Sequence, residues 1–193
     1  MTLKQKTIAV IGAGNMGEAL IRGLIAAGAV KASQIIATDI HAERLERIAK
    51  LFGVGATMDN AFAVSSADVV VLAVKPQQMS EALATFRQQM SADKLVISIA
   101  AGVTTARIDD ELGGGVRVVR VMPNMPAQVG EGAAALCKGA HATDEDLAVA
   151  EAVLSAVGET VRTDERYLDA VTALSGTGPA YIFLVSEIMI RAG

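Results

Sequence analysis

At 193 residues the chain has room for one domain, or for one and part of another, and 52% hydrophobic residues argue against disorder. Only 3% of residues are aromatic and Trp is absent, so Ala, Val, Ile and Leu must fill the core, which suits helices laid on a parallel sheet. A net charge of −4 argues against a nucleic-acid surface, and Cys137, the only cysteine, leaves no internal disulfide or cysteine-based metal cluster.

The basic start, Met1-Thr2-Leu3-Lys4-Gln5-Lys6, has the look of a signal-peptide end. The apolar run behind it breaks at Gly12-Ala13-Gly14, too soon for a signal core or a membrane span. A soluble cytoplasmic protein is expected, with neither membrane nor nucleic acid as partner. Residues 7–11 read as a first strand, and 14–27 as a helix with Met16, Leu20, Leu24 and Ala27 along one face. A strand at 35–38 and the charged helix 42–52 follow. Then come a short strand near 55–58 and a brief helix capped by Asp59 or Asn60. Unbroken apolar runs at 69–74, 95–100 and 116–122 have the pattern of strands buried on both faces. Between the last two, 104–112 reads as a helix stopped by Gly113-Gly114-Gly115. This alternation implies right-handed crossovers and a mostly parallel sheet, the doubly wound α/β fold of Rossmann type.

Pro123-Asn124-Met125-Pro126 breaks the rhythm as a loop leaving the sheet. A further strand fits 133–137. Thr143-Asp144-Glu145-Asp146 opens a helix to about 157, with a capping-box-like start and acids in its first turn. Residues 159–162 could be a last strand. From Tyr167 the character changes: 171–174 leads into Ser175-Gly176-Thr177-Gly178-Pro179 and a strongly apolar helix over 180–190. Pro179 suits that helix's first turn. Residues 1–164 are thus expected to form a dinucleotide-binding domain, and 165–193 to begin a helical one. The apolar helix finds no cover within the chain and reads as an association surface or a domain cut short.

Gly12-Ala13-Gly14-Asn15-Met16-Gly17 stands between the first strand and the first helix. There Gly12 permits the tight turn, Gly14 lets backbone approach a pyrophosphate, and Gly17 lets the helix pack on the sheet. The helix N-terminus offers unpaired N–H donors to the phosphates. Asp39 lies about 20 residues past the last glycine, where an acid would accept from the adenosine ribose and disfavour a 2′-phosphate. His41 and Arg44 are near enough in sequence to offset that repulsion. NAD is mildly favoured and NADP stays open. Lys75-Pro76-Gln77 follows the 69–74 strand at the edge where such sheets bind ligands, and Ala100-Ala101-Gly102 closes the next strand in residues small enough to admit a flat ring. The first could equally be a solvated strand-end turn, and the second could equally serve helix–sheet packing. Arg120 could meet a carboxylate or make a surface salt bridge. His41 and His141 read as surface residues and Cys137 as a small buried hydrophobe. No metal site is expected.

Five segments in order resemble the pyrroline-5-carboxylate reductase family. They are IGAGNMG at 11–17, AVKPQ at 73–77, SIAAGV at 98–103, RVMPNMPAQVGEG at 120–132 and DAVTALSGTGPAYIF at 169–183. The first is common to many dehydrogenases, whereas the last two are specific, and together they span nearly the whole chain. The resemblance implies an oxidoreductase of proline biosynthesis that moves a hydride from NADPH or NADH to the C=N carbon of 1-pyrroline-5-carboxylate, giving L-proline. It implies that Ile11, Gly12, Ala13, Gly14, Asn15, Met16 and Gly17 border the cofactor, with Asp39, Asn60, Ala73, Val74, Lys75, Pro76, Ile99, Ala100 and Ala101. Met122, Pro123 and Asn124, with Ser175, Gly176, Thr177, Gly178 and Pro179, would lie near the nicotinamide and the substrate. No catalytic acid is singled out, since the imine can be protonated before it reacts. Met125 stands where the family usually has Thr. Family members continue with a helical part that carries a substrate loop and builds the dimer. This chain therefore reads as the N-terminal part of a homo-oligomeric enzyme, poorly active by itself. Two other readings stay open: another dehydrogenase of the 6-phosphogluconate or hydroxyacid type, or a non-catalytic dinucleotide sensor.

Overall fold

The computed structural model describes residues 3–193; Met1 and Thr2, which open the basic lead-in, lie outside the described residues. The chain begins its sheet with β1 (Ile8–Ile11), turns into α1 (Asn15–Ala26), and continues through β2 (Ile35–Thr38) and α2 (Ala42–Phe52). Next come β3 (Gly55–Thr57), α3 (Asn60–Ser65), β4 (Val69–Leu72), α4 (Met79–Phe86), β5 (Leu95–Ser98), α5 (Thr105–Leu112) and β6 (Arg117–Met122). The spatial order of these strands is β3-β2-β1-β4-β5-β6, all parallel. After a turn at Met125–Val129, β7 (Gly132–Lys138) runs back antiparallel to β6. Helix α6 (Asp144–Leu154) then leads to β8 (Gly158–Arg162), which pairs parallel with β7 at the far edge.

Strand periodicity decides what packs where. Val69 and Val71 belong to a core on one face of the sheet, with Leu20 and Leu24 of α1, Ile48 of α2 and Val153 of α6. Val70 and Leu72 belong to the other, with Met79, Leu83 and Phe86 of α4 and Ile108 of α5. Successive side chains point to opposite faces, so a strand covered on both must be apolar throughout. All four residues of β1, β4 and β5 are buried. Each large aliphatic side chain so buried contributes roughly 1.5–3 kcal/mol.

Helix ends follow local chemistry. The Asp59 carboxylate accepts from the Phe62 N–H (3.0 Å) and starts α3. Thr143 and Asp146 form a reciprocal capping box on α6. Thr104 caps α5, and Gly113 ends it in the left-handed region at φ 109°.

Three expectations need correction. The runs at 69–74 and 95–100 are strand only to Leu72 and Ser98: Ala73 and Ile99 each donate one last bond, to the Ile11 and Leu72 carbonyls, and the pairing ends there. Helix α4 was not anticipated, and α6 stops at Leu154 rather than near 157. Its end is fixed by a turn in which the Val157 N–H donates to the Leu154 carbonyl.

Beyond β8 the chain becomes a helical arm: α7 (Leu168–Val171), a π-helical turn at Thr172–Gly176, and α8 (Gly178–Ala192). Leu168 is fully buried against Ala135 and Cys137 of β7, which anchors the arm. Glu165 and Asp169 both pair with Arg120 of β6, at 3.2 and 3.1 Å. Glu165 also accepts from the Thr105 N–H (2.8 Å) and hydroxyl (2.7 Å) at the start of α5. Arg120 is thus a buried residue that meets two carboxylates of its own chain, not a surface one. Helix α8 itself has no buried residue.

Candidate functional site

The parallel register places Ile11, Leu72, Ser98 and Arg120 in one row across β1, β4, β5 and β6. The segments that follow, 12–17, 73–76, 99–101 and, past the end of β6, 123–124, therefore leave the sheet at one carboxyl edge. Ligands of open α/β sheets bind at that edge, where the strand order reverses between β1 and β4.

At Gly12 φ is 99°, which disfavours any side chain, and a Cβ there would sit 2.8 Å from the Ala73 carbonyl oxygen. At Gly17 a Cβ would lie 2.1 Å from the Gly12 carbonyl oxygen, so this glycine lets α1 close on the turn. At Gly14 the backbone is ordinary (φ −73°), and a Cβ would meet nothing within 4 Å. No conformational demand explains glycine there; the space in front of it is open. No side chain caps α1 either, which leaves its first-turn N–H groups for a ligand.

An open cleft lies against this loop, lined by Ile11, Gly12 and Gly14, by Ala73, Val74 and Lys75, and by Asp39 and Asn60. Eight of the expected cofactor residues are thereby brought together. Ala13 and Gly17 are buried beneath the loop, as is Ala100 beyond β5. Asn15, Met16, Pro76, Ile99 and Ala101 are exposed or half-buried at the same edge without lining the cleft.

The Asn60 amide donates to the Thr85 hydroxyl (3.0 Å), joining α3 to α4 in one wall. Gln78, Glu81, Ala82 and Thr85 of that wall were missed in the sequence because α4 was missed. The spacing of Met79, Leu83 and Phe86 was the signal for it. Thr38, also at the cleft, holds the only buried side-chain oxygen or nitrogen without a hydrogen-bond partner among the described residues. A bound polar group would satisfy it.

Asp39 lines the cleft with its carboxylate already bonded within the chain. Its Oδ2 accepts from the Ala13 N–H and from Arg44 Nη1, each at 2.9 Å, and its Oδ1 accepts from the His41 N–H at 3.0 Å. Burial alone would raise its pKa, but the bonds from His41, Arg44 and Ala13 outweigh that and hold the carboxyl below its usual range. The side chain is only 6% exposed. Asp39 fastens the glycine loop to the start of α2.

Further along the edge, the Asn124 Oδ1 accepts from the Ala133 N–H (2.9 Å), and its Nδ2 donates to the Ser175 hydroxyl oxygen (3.3 Å). That contact joins the two candidate substrate segments, 122–124 and 175–179. The latter is half-buried, and the π-turn gives it a widened backbone of a kind frequent at functional sites.

A family model described as pyrroline-5-carboxylate reductase dimerisation matches residues 165–193, and one described as NADP oxidoreductase, coenzyme F420-dependent, matches 7–102. The pyrroline-5-carboxylate reductase of Methanosarcina acetivorans is 46% identical over 187 residues, covering 97% of this chain and 69% of that protein. The chain belongs to the pyrroline-5-carboxylate reductase family. The family member of Pseudomonas aeruginosa is also 46% identical, over 96% of this chain and 68% of its own. Among solved structures, the reductase of Coxiella burnetii superposes with a TM-score of 0.90 at 38% identity, covering 98% of this chain and 70% of that one. The Plasmodium falciparum pyrroline carboxylate reductase with NADP bound gives 0.87 at 28%, with the same coverages. Prephenate dehydrogenase of Aquifex aeolicus, at 18% identity and TM-score 0.75, shares the fold.

His41 and His141 are both exposed, as expected, and His141 lies 3.4 Å from the Asp109 carboxylate. Cys137 is buried as expected, and burial pushes its thiol up to about 11.

Proposed function

We propose that this chain reduces 1-pyrroline-5-carboxylate to L-proline with NADPH or NADH, the last step of proline biosynthesis. The supporting observation is that Asn124 ties the 175–179 turn to the same carboxyl edge that carries the open cleft before Gly14. In this reading residues 1–164 hold the dinucleotide and 165–193 begin the substrate and dimer part.

The glycine loop and the uncapped start of α1 take the pyrophosphate. The end of β2 and the start of α2 take the adenosine ribose. Asn60, Ala73, Val74, Lys75 and Pro76 flank the bound molecule, and Ile99, Ala100 and Ala101 back the nicotinamide. A nicotinamide bound there would supply a hydride for the C=N carbon, and the ring nitrogen would keep the proton it already carries. Asn124, with its amide turned by Ala133, holds the Ser175 oxygen as an acceptor and leaves the hydroxyl proton free to donate to the substrate. Catalysis then rests on positioning rather than on a side-chain acid. The oligomer is a homo-oligomer, and a soluble dinucleotide and a small soluble substrate fit a cytoplasmic enzyme.

Incubation of the protein with NADPH and pyrroline-5-carboxylate, with proline quantified by mass spectrometry, tests the reading. Proline should form faster than without protein. A rate equal to the protein-free control would refute it, and oxidation of hydroxyacids instead would move the chain to the dehydrogenases.

A further inference from the structure

The helical arm reaches the carboxyl edge through a turn that apolar packing does not hold. Thr172–Gly176 is π-helical and contains no buried residue, and Ala173 and Leu174 within it are exposed. We infer that Thr177 is a positioning residue for the reduction: its hydroxyl fixes this turn, and through it the aim of the Ser175 hydroxyl. The inference rests on the reading that segment 175–179 meets the substrate.

Pro179 brings no N–H to the helical ladder, so the usual bond to the Ser175 carbonyl, four residues back, cannot form. Thr177 closes the turn instead. Its N–H (2.9 Å) and its hydroxyl (2.8 Å) both donate to the Thr172 carbonyl, five residues back. That oxygen has two lone pairs, so the hydroxyl adds to the backbone bond rather than competing with it. The Thr172 hydroxyl donates in turn to the Leu168 carbonyl (2.7 Å), and Leu168 is the fully buried anchor of the arm. Two hydroxyls thus carry the fixed position of Leu168 forward into the turn.

Ser175 and Thr177 are near neighbours used in opposite ways. The Thr177 hydroxyl proton is committed inside the turn, whereas the Ser175 oxygen accepts from Asn124 Nδ2 (3.3 Å) and keeps its own proton to donate. Between them Gly176 lies on the end of β6, where a Cβ would sit 2.5 Å from the Met122 methyl carbon. The turn is therefore seated on Met122, tied by Asn124 and closed by Thr177. Because it buries nothing of its own, loss of the Thr177 hydroxyl bond alters the turn without unfolding the arm, which Leu168 still anchors. A misplacement of about 1 Å is enough to slow a reaction that depends on positioning.

The test is a double-mutant cycle on kcat/KM for pyrroline-5-carboxylate at saturating NADPH, with proline quantified by mass spectrometry. Thr177→Val keeps the side chain's shape and should lower kcat/KM roughly three- to tenfold, the size of one net hydrogen bond. Thr177→Ser, which keeps the hydroxyl, should regain most of that loss. Ser175→Ala should lower kcat/KM at least as far as Thr177→Val. Adding Thr177→Val to Ser175→Ala should then change the rate by less than about twofold, because a residue that acts through Ser175 has nothing left to aim. NADPH affinity in a fluorescence titration should stay within about twofold throughout, since neither residue lines the cleft. Circular dichroism confirms that the variants fold, and Thr177→Ala carries the test should Thr177→Val fail to fold. An unchanged rate in Thr177→Val or in Ser175→Ala would overturn the inference, as would a Thr177→Ser variant as slow as Thr177→Val. Additive losses in the double variant would also overturn it, by showing that Thr177 acts independently of Ser175. Each of these results leaves the reductase reading intact. Absence of proline with the unaltered protein would bring down that reading and the inference together.

Discussion

Three glycines of one loop do three different jobs, and substitution separates them. Gly14 has an ordinary backbone and open space where a Cβ would go, so Gly14→Val should leave thermal stability nearly unchanged. The valine would fill the room assigned to the pyrophosphate, and NADPH affinity should fall by more than tenfold in a fluorescence titration. Unaltered affinity would show that the phosphates lie elsewhere. At Gly17 even a methyl group would meet the Gly12 carbonyl, so Gly17→Ala should cost about 1–3 kcal/mol in denaturant unfolding. Cys137 offers a contrast at the same scale. Its thiol, pushed up to about 11 by burial, stays neutral through the working pH range, so iodoacetamide should label it only after unfolding. Folding favours the neutral thiol. Its contribution to stability is therefore complete below the ordinary value of 9.0 and is lost as pH rises toward 11.

Elements whose periodicity is strong were legible in the sequence, and those set by distant contacts were not. The starts of β4 and β5, the capping box of α6 and the glycine stop of α5 are local signals, and each was found where it was read. The ends of β4 and β5 were overextended because Val74 and Ala100 stay apolar after leaving the ladder, where they pack against the core under the cleft. The engagement of Asp39 could not be read, since it depends on Ala13, distant in sequence, sharing its carboxylate with Arg44. The same holds for Arg120, whose burial reflects an arm folded back from residues 165–169. That arm yields a prediction at its own scale. Arg120→Met removes a buried cation, yet Glu165 keeps its two bonds from Thr105, and the Asp169 side chain is 84% exposed to water. The loss should be about 1–3 kcal/mol, below that of stranding a fully buried charge. Hydrogen exchange should rise across 165–177 and stay slow in β1, β4 and β5. Uniform exchange in the variant and the parent would mean that Leu168 alone holds the arm.

For the whole molecule, the two-sided sheet is complete while α8 is not covered by it. Tyr181, Ile182, Phe183, Leu184, Val185 and Ile188 are each more than half exposed, and the segment Glu165–Ala192 is long and apolar enough, by length and composition, to cross a membrane. An apolar helix of this kind needs a cover. Residues 165–193 match the family's dimerisation model, which favours a second copy of this chain as that cover. The 193-residue polypeptide should therefore fold, bind NADPH, and run larger than a monomer in size-exclusion chromatography with light scattering. Replacing Ile182 and Val185 with Glu should return it to a monomer. NADPH affinity should be preserved, because neither residue touches the cleft. Turnover with pyrroline-5-carboxylate should stay below the ~1 s⁻¹ at which ordinary enzymes begin, since positioning the substrate is left to segments 122–124 and 175–179. A monomer at high concentration would refute the pairing through α8, and co-flotation with lipid vesicles would make the bilayer its cover instead. A rate well above ~1 s⁻¹ would mean that Asn124 and Ser175, held 3.3 Å apart, suffice to complete the pocket.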